Sequence, residues 1–248
     1  PATFNGSVNL GSGNFTKQGT GNLNLNASNN FSLNFVSSSR LIMGNAYALG
    51  NGLFTISNAP GTTTLFDTSG GVSTNAHDNN MVWNGNFNFG SQGDTTTNLH
   101  LGTGSVTLGK SVEVTLGNTA KGLIVGGSIG DGGSGYSLTK SGNGTLTLTG
   151  ANTYGGATYV TGGTLVLAGS NSYSGGTVIT SGRIILSNNN ALGALAGTAT
   201  LGVNNNSTNV TLQLGNGITN SNSIYVEPGN NQLALRQLAL TNDGASAT

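Results

Sequence analysis

His77 and Asp78 are adjacent, and an imidazole beside a carboxylate is two thirds of a nucleophile-activating triad. The third member must be a Ser or Cys brought to the ring. The chain has no Cys, and its hydroxyls are so abundant that none stands out. The pair lies in the polar stretch Ser73 to Asn80 and reads as a solvated loop. His100 stands between Leu99 and Leu101 on an alternating run, so it is expected to point off a strand rather than to hold a metal. The carboxylates available for acid–base or hydrolytic chemistry are Asp67, Asp78, Asp94, Glu113, Asp131, Glu227 and Asp243, and no two are within ten residues of each other. Gly132 to Leu138 echoes a calcium-binding nonapeptide. Ser137 stands where the carboxylate should be and the motif occurs once, whereas such sites need stacked copies. Gly126 to Gly130 is followed by neither a Gly-Lys-Ser/Thr run nor a helix signal and is no phosphate loop. Trp83, with Phe87 and Phe89 nearby, is the candidate glycan contact, although an aromatic on an alternating strand is more often core or a flank covered by a loop. Thr62 to Thr64 and Thr95 to Thr97 suggest an ice-binding array, but the column Thr145, Thr164, Arg183 is broken by a guanidinium. No catalytic, cofactor-binding or metal-binding residue is expected.

The elements that must carry these residues are β-strands. Thr145-Leu146-Thr147-Leu148-Thr149 alternates at period 2, which sends the two Leu side chains to one face and the Thr side chains to the other. Ser105 to Leu108, Val112 to Leu116 and Val210 to Leu214 alternate likewise. Gly-Gly, Asn-Gly and Ser-Gly pairs separate such runs and supply corners. Only Leu233 to Leu240 could pass for a helical turn, and its alternation fits a strand as well. Only 6% of residues are charged, seven basic against seven acidic, while 43 are Gly. With no basic stripe, nucleic acid is excluded as a partner. Hydrophobic residues make up 35% and recur in register, which argues against disorder. No apolar run approaches the roughly 18 residues of a membrane span. The absence of Cys fits a protein that stays threadable during export, and the opening at Pro1 suggests a processed product or an excised segment.

Three stretches superimpose without a gap at a fixed offset (163 − 144 = 182 − 163 = 19): Gly144 to Tyr154, Gly163 to Tyr173 and Gly182 to Leu192. A constant step of this kind marks a solenoid. It predicts two apolar columns, Leu146/Leu165/Ile184 and Leu148/Leu167/Leu186, and an amide ladder of Asn152, Asn171 and Asn190 at a corner. Tyr154, Tyr173 and Leu192 make a neighbouring column. A longer repeat encloses the short one. Phe15 to Phe31 matches Leu138 to Tyr154 at offset 123, and Arg40 to Gly50 matches Arg183 to Gly193 at offset 143. The growth of 20 is one added coil plus one residue. The expected organisation is a single continuous β-solenoid over residues 1–248, with long unit 1 at about 1–137 and a partial unit 2 at about 138–248. Coils near 19 residues give about 12 coils and a rod of roughly 60 Å.

Leu138 to Leu167 reads LTKSGNGTLTLTGANTYGGATYVTGGTLVL and resembles the autotransporter-associated β-strand repeat of passenger domains. Leu-Thr-Lys, Gly-Asn-Gly-Thr-Leu-Thr-Leu, Asn-Thr-Tyr-Gly-Gly and Gly-Gly-Thr-Leu-Val-Leu carry the resemblance. Phe15 to Met43 is a second match in which Asn24 and Asn26 replace Thr and the corner becomes Asn29-Asn30-Phe31-Ser32-Leu33. The resemblance implies a right-handed parallel β-helix, secreted or held on a bacterial surface, whose repeats assist export and folding. It implies no ligand and no reaction. The expected function is structural: an extracellular rod, surface stalk or fibre, associating end to end or continuing into further repeats. An adhesin binding surface glycans is the first alternative, and a β-helical polysaccharide-degrading enzyme the second.

Overall fold

The structure, a computed structural model, describes residues 2–36, 39–57, 64–68, 73–90, 98–117, 122–202, 210–227 and 238–242. The described residues contain strands and turns but no helix, and every strand pairing is parallel. The chain begins with Ala2–Phe4 (β1), Asn9–Lys17 (β2), Leu23–Leu25 (β3), Asn30–Phe35 (β4), Arg40–Met43 (β5), Phe54–Ile56 (β6), Thr64–Thr68 (β7), Met81–Trp83 (β8) and Phe87–Phe89 (β9). Odd strands of this set join a long sheet and even strands join the N-terminal sheet. Leu99–His100 (β10), Val106–Leu108 (β11), Val112–Leu116 (β12), Gly122–Val125 (β13), Ile129–Gly130 (β14) and Leu138–Ser141 (β15) follow. Here each coil visits three faces, because β10 and β13 open a C-terminal sheet while β11 and β14 stay on the N-terminal one. The rest comprises Thr145–Leu148 (β16), Thr158–Val160 (β17), Thr164–Leu167 (β18), Thr177–Ile179 (β19), Gly182–Leu186 (β20), Ala199–Leu201 (β21), Val210–Leu214 (β22), Ile224–Val226 (β23) and Leu238–Asn242 (β24). These alternate between the C-terminal sheet and the long sheet. The long, N-terminal and C-terminal sheets hold eleven, six and seven strands.

The alternation read from the sequence sets the core. Thr145 to Leu148 shows half-buried and buried positions in turn, as do β4, β5, β12 and β18. Leu146 pairs with Leu165 and Leu165 with Ile184, while Leu148, Leu167 and Leu186 form the second column in the same register. All six are buried. The first column continues upward through Leu123 to Leu99 and downward to Leu212, making one seam along the C-terminal sheet. Leu238 to Leu240, the described end of the segment with helical character, lies in strand β24.

Coil length departs from expectation. The short step recurs where Thr145, Thr164 and Arg183 pair and where Thr158 pairs with Thr177. Along the long sheet the step is shorter by one from Leu23 to Leu41 and longer by eight from Phe87 to Val114. Coils are on average roughly 22 residues long, so the stack has fewer turns than the sequence step implies. Strands keep register because backbone pairing and the core demand it, whereas corners can lengthen outward into solvent.

The added coil is visible in the pairing. Leu25 meets Met43 in one step (43 − 25 = 18), while the equivalent path from Leu148 reaches Leu186 in two steps through Leu167 (186 − 148 = 38). The difference, 38 − 18, equals the growth of the sequence offset, 143 − 123. The two copies also occupy different faces. Phe15 lies on the N-terminal sheet and its equivalent Leu138 on the long sheet; Arg40 lies on the long sheet and its equivalent Arg183 on the C-terminal sheet. From Phe15 the N-terminal sheet steps five times, through Leu33, Phe54, Met81 and Val106 to Ile129, and the next strand is β15. The long repeat therefore spans five coils and one face.

Candidate functional site

The groups that sequence reading marked for chemistry are engaged in structure. Asp78 is the only non-Gly residue with positive φ among the described residues, at 50°, and its Oδ1 accepts from the Thr103 N–H at 2.6 Å. His77 instead lies edge-on against Tyr47, with ring centroids 4.8 Å apart. His100 Nδ1 accepts from the Gly102 N–H at 2.9 Å. The Asp131 carboxylate closes its glycine-rich loop: Oδ1 accepts from Gly133 N–H at 3.0 Å, and Oδ2 from Tyr136 at 2.8 Å and Gly155 at 2.9 Å. Burial acts against its charged form, but the N–H groups of Gly155, Tyr136, Gly133 and Gly135 outweigh this and hold the carboxyl below its ordinary range. Glu113 lies at a half-buried position of β12. The side chain of Asp67, and residues Asp94 and Asp243, fall outside the described part, as do the Thr62 to Thr63 and Thr95 to Thr97 positions. Among the described residues no three His, Cys, Asp or Glu side chains gather as a metal site.

Trp83, the candidate glycan contact, is a core residue. It is fully buried, with its ring 4.9 Å from Phe87 in an edge-on arrangement. Its position in β8 alternates inward with Met81, so its ring face cannot receive a sugar.

The Asn corner forms with two of its three expected members. Asn152 Oδ1 accepts from Ile129 N–H at 3.0 Å, and Asn152 donates from both N and Nδ2 to Asn171 Oδ1 at 3.0 and 2.9 Å. Asn171 Nδ2 donates onward to the Ala191 carbonyl at 2.7 Å, not to Asn190. Asn190 keeps the coil-to-coil link through its backbone, its carbonyl accepting from Asn171 N–H at 3.1 Å, but its side chain is exposed and donates to Ser170 Oγ at 3.3 Å. The ladder stands where the N-terminal sheet ends at β14, so the amides take over that sheet's role of linking coils. Beside it Tyr154 and Tyr173 stack with planes 2° apart and centroids 5.2 Å apart. Their hydroxyls bond Thr158 and Thr177, and burial raises both phenols, Tyr173 to about 12.

Two further ties escaped the sequence reading. Lys140 points inward between Val114 and Val160, is 1% exposed, and donates to the carbonyls of Ser141 at 2.7 Å, Gly142 at 2.9 Å and Gly162 at 3.1 Å. Lys17 repeats the geometry, donating to Gln18 and Gly19 carbonyls at 2.7 and 3.0 Å and to Ser39 Oγ at 3.2 Å. In both, a glycine at positive φ, 71° at Gly142 and 75° at Gly19, turns its carbonyl onto the ammonium. The third acceptor comes from the next coil. Burial lowers both ammonium groups, Lys140 to about 8. Asn29 likewise accepts from Val8 N–H at 2.9 Å and donates to the Ala48 carbonyl at 2.8 Å, reproducing the Asn152 and Asn171 ends of the ladder within one residue. The signal for all of these was present in the sequence, as Lys17 with Lys140 and Asn29 with Asn152 are related by the long-repeat offset (140 − 17 = 152 − 29).

A parallel β-solenoid with coils tied at recurring Lys and Asn corners is the class these observations define. Residues 15–32, 138–167 and 162–186 match the passenger-associated-transport-repeat family model. The second and third matched segments cover the added coil. No curated protein and no solved structure matches the chain. These three segments carry the passenger-associated transport repeat, and each lies within the β-solenoid.

Proposed function

We propose that this solenoid is an extracellular structural rod, serving as the stalk of a surface protein or the repeating body of a fibre, with no catalytic centre of its own. The observation that carries this reading is the unbroken parallel pairing of the long sheet from β1 to β23, with apolar side chains buried at β3, β5, β9, β12, β15, β17, β19 and β21. Load along such a stack is shared by backbone hydrogen bonds parallel to its axis and by the Lys and Asn ties between coils. At about 4.8 Å per coil, ten steps extend about 48 Å. Passenger repeats support a secreted or cell-surface location.

The long sheet also supports continuation. At β23, Ile224 and Val226 extend the columns of Ala199 and Leu201, yet remain 39% and 40% exposed. An open edge with apolar inward positions accepts another parallel strand. We assign that place to a further coil or to a second copy of the chain. Electron microscopy of native secreted material tests the rod: straight particles of constant, narrow width are expected, and compact globular particles end the reading. Sedimentation velocity across a concentration series separates the two versions. Concentration-dependent growth supports end-to-end assembly, and a chain that stays monomeric leaves only the stalk.

A further inference from the structure

Two shallow concavities share Ser32 on the outer face of the N-terminal sheet. One, of about 350 Å³, is walled by Asn14, Thr16, Asn34, Thr55, Leu53 and Asn84 among others. Its neighbour, of about 430 Å³, lies over Gly11, Ser12, Asn30, Asn51 and Gly52. Both volumes fall in the range of small-molecule sites. The floor follows from strand geometry: Asn30, Ser32 and Asn34 are the outward positions of β4, between the buried Phe31, Leu33 and Phe35. A register shift in β2 between Asn9 and Asn14 distorts the outer strand, and Gly52 lies so close to Ser32 Oγ that a Cβ would collide with it.

The lining has a narrow chemistry. It consists of carboxamides, hydroxyls and backbone, with no charged side chain. Leu53, 43% exposed, adds an apolar C–H surface at the rim. The Asn34 carboxamide oxygen makes no hydrogen bond within the protein. That oxygen is buried as placed, while the Asn34 side chain lines the groove, so an incoming hydroxyl that reaches the carboxamide satisfies a group the fold leaves unpaired. A phosphate, an acidic glycan or a nucleic acid would find no cation here. A strand-like peptide would find no free backbone edge, because β4 is paired on both sides. A neutral saccharide matches on each count, since its hydroxyls exchange donors and acceptors with amides and its ring C–H face packs on Leu53.

We propose that this groove binds a neutral oligosaccharide of pyranose units, with Asn34 and Ser32 as the central polar contacts and Leu53 as the apolar one. The assignment concerns this face alone and stands whether the stack serves in a stalk, in a fibre or singly. The test is an amide-resolved NMR titration of the whole chain with cellohexaose, maltohexaose and laminarihexaose, and with a hexamer of galacturonate as the acidic arm. At least one neutral sugar should give saturable shifts centred on residues 14, 32, 34, 53 and 55. Asn34→Ala, at an outward position of β4, should weaken binding by about fivefold or more while the far-ultraviolet circular dichroism stays that of the parent. Leu53→Lys should weaken it independently. The proposal is overturned if none of the three neutral sugars shifts these residues, if only the galacturonate hexamer does, or if both variants bind as the parent does.

Discussion

Lys140 holds three carbonyls, and replacing it with Met leaves those of Ser141, Gly142 and Gly162 without their shared donor. Lys140→Met should lower stability by about 2 kcal/mol, read as a lower urea midpoint. Its pH behaviour is more diagnostic. The unfolded chain returns the ammonium to its ordinary value of 10.5, whereas burial holds it at about 8 in the fold. Between those values the unfolded chain binds more protons, so this residue makes the fold more stable as pH rises. Tyr154 and Tyr173 act in the opposite sense. Their raised phenols contribute stability that is complete below the ordinary value of 10 and is lost above it, for Tyr173 by about 12. The urea midpoint should climb from pH 8 to about 10 and then fall, and in Lys140→Met the climb should shrink to the part that Lys17 contributes. A midpoint equally flat in both proteins would mean that Lys140 is not buried as an ammonium group. The Lys of Leu-Thr-Lys was visible as a repeated letter, but its inward aim was not. A charged residue on an alternating strand ordinarily reads as facing outward, and only the carbonyls gathered by Gly142 and Gly162 make an inward one tolerable.

Corners and coils separate clearly in what they require. Asn171 links the amide of one coil to the carbonyl of the next, so Asn171→Ala should lose about 1–3 kcal/mol, whereas exposed Asn190→Ala should change stability by less than about 0.5 kcal/mol. Equal losses in thermal unfolding would restore Asn190 to the ladder. The added coil permits a bolder change: deleting residues 150–168 joins Thr149 to Gly169, which takes the place of Gly150, and recreates the single-step path of the first unit. That shortened chain should keep its β circular dichroism and a cooperative transition, with a smaller urea m-value; an unfolded or aggregated product would refute the modular coil. The period-2 strands, both Leu columns and the link from Asn152 to Asn171 were legible because neighbouring coils impose them directly. Asn190 and the coil length were not. Both depend on how far a corner bulges into solvent, as at the exposed Ser187, Asn189 and Asn190 before the chain returns to the core at Ala191, and exposure leaves such letters unconstrained.

For the molecule as a stack, stability should be graded. Each coil contacts only its neighbours, so the central strands β12, β13 and β15 to β18 are paired on both sides while β1 and β23 are paired on one. Amide hydrogen exchange should be slowest around residues 112–167 and fastest at 2–4 and 224–226; uniform protection throughout would show global cooperativity instead. Of the two readings the sequence offered for Trp83, the stack realises the core one, since β8 lies between β6 and β11 and the ring is fully buried. The offset of five coils and one face has a further consequence. In any longer stack built of units related in this way, successive units behave as steps of a coarse screw: each is turned by one side of the three-sided rod before it is laid down. A feature borne once per unit, such as a long loop at one corner, would return to the same side only at every third unit. Such a filament would present its decorations in three directions rather than as a single stripe, so that it would look alike from every side to whatever it meets.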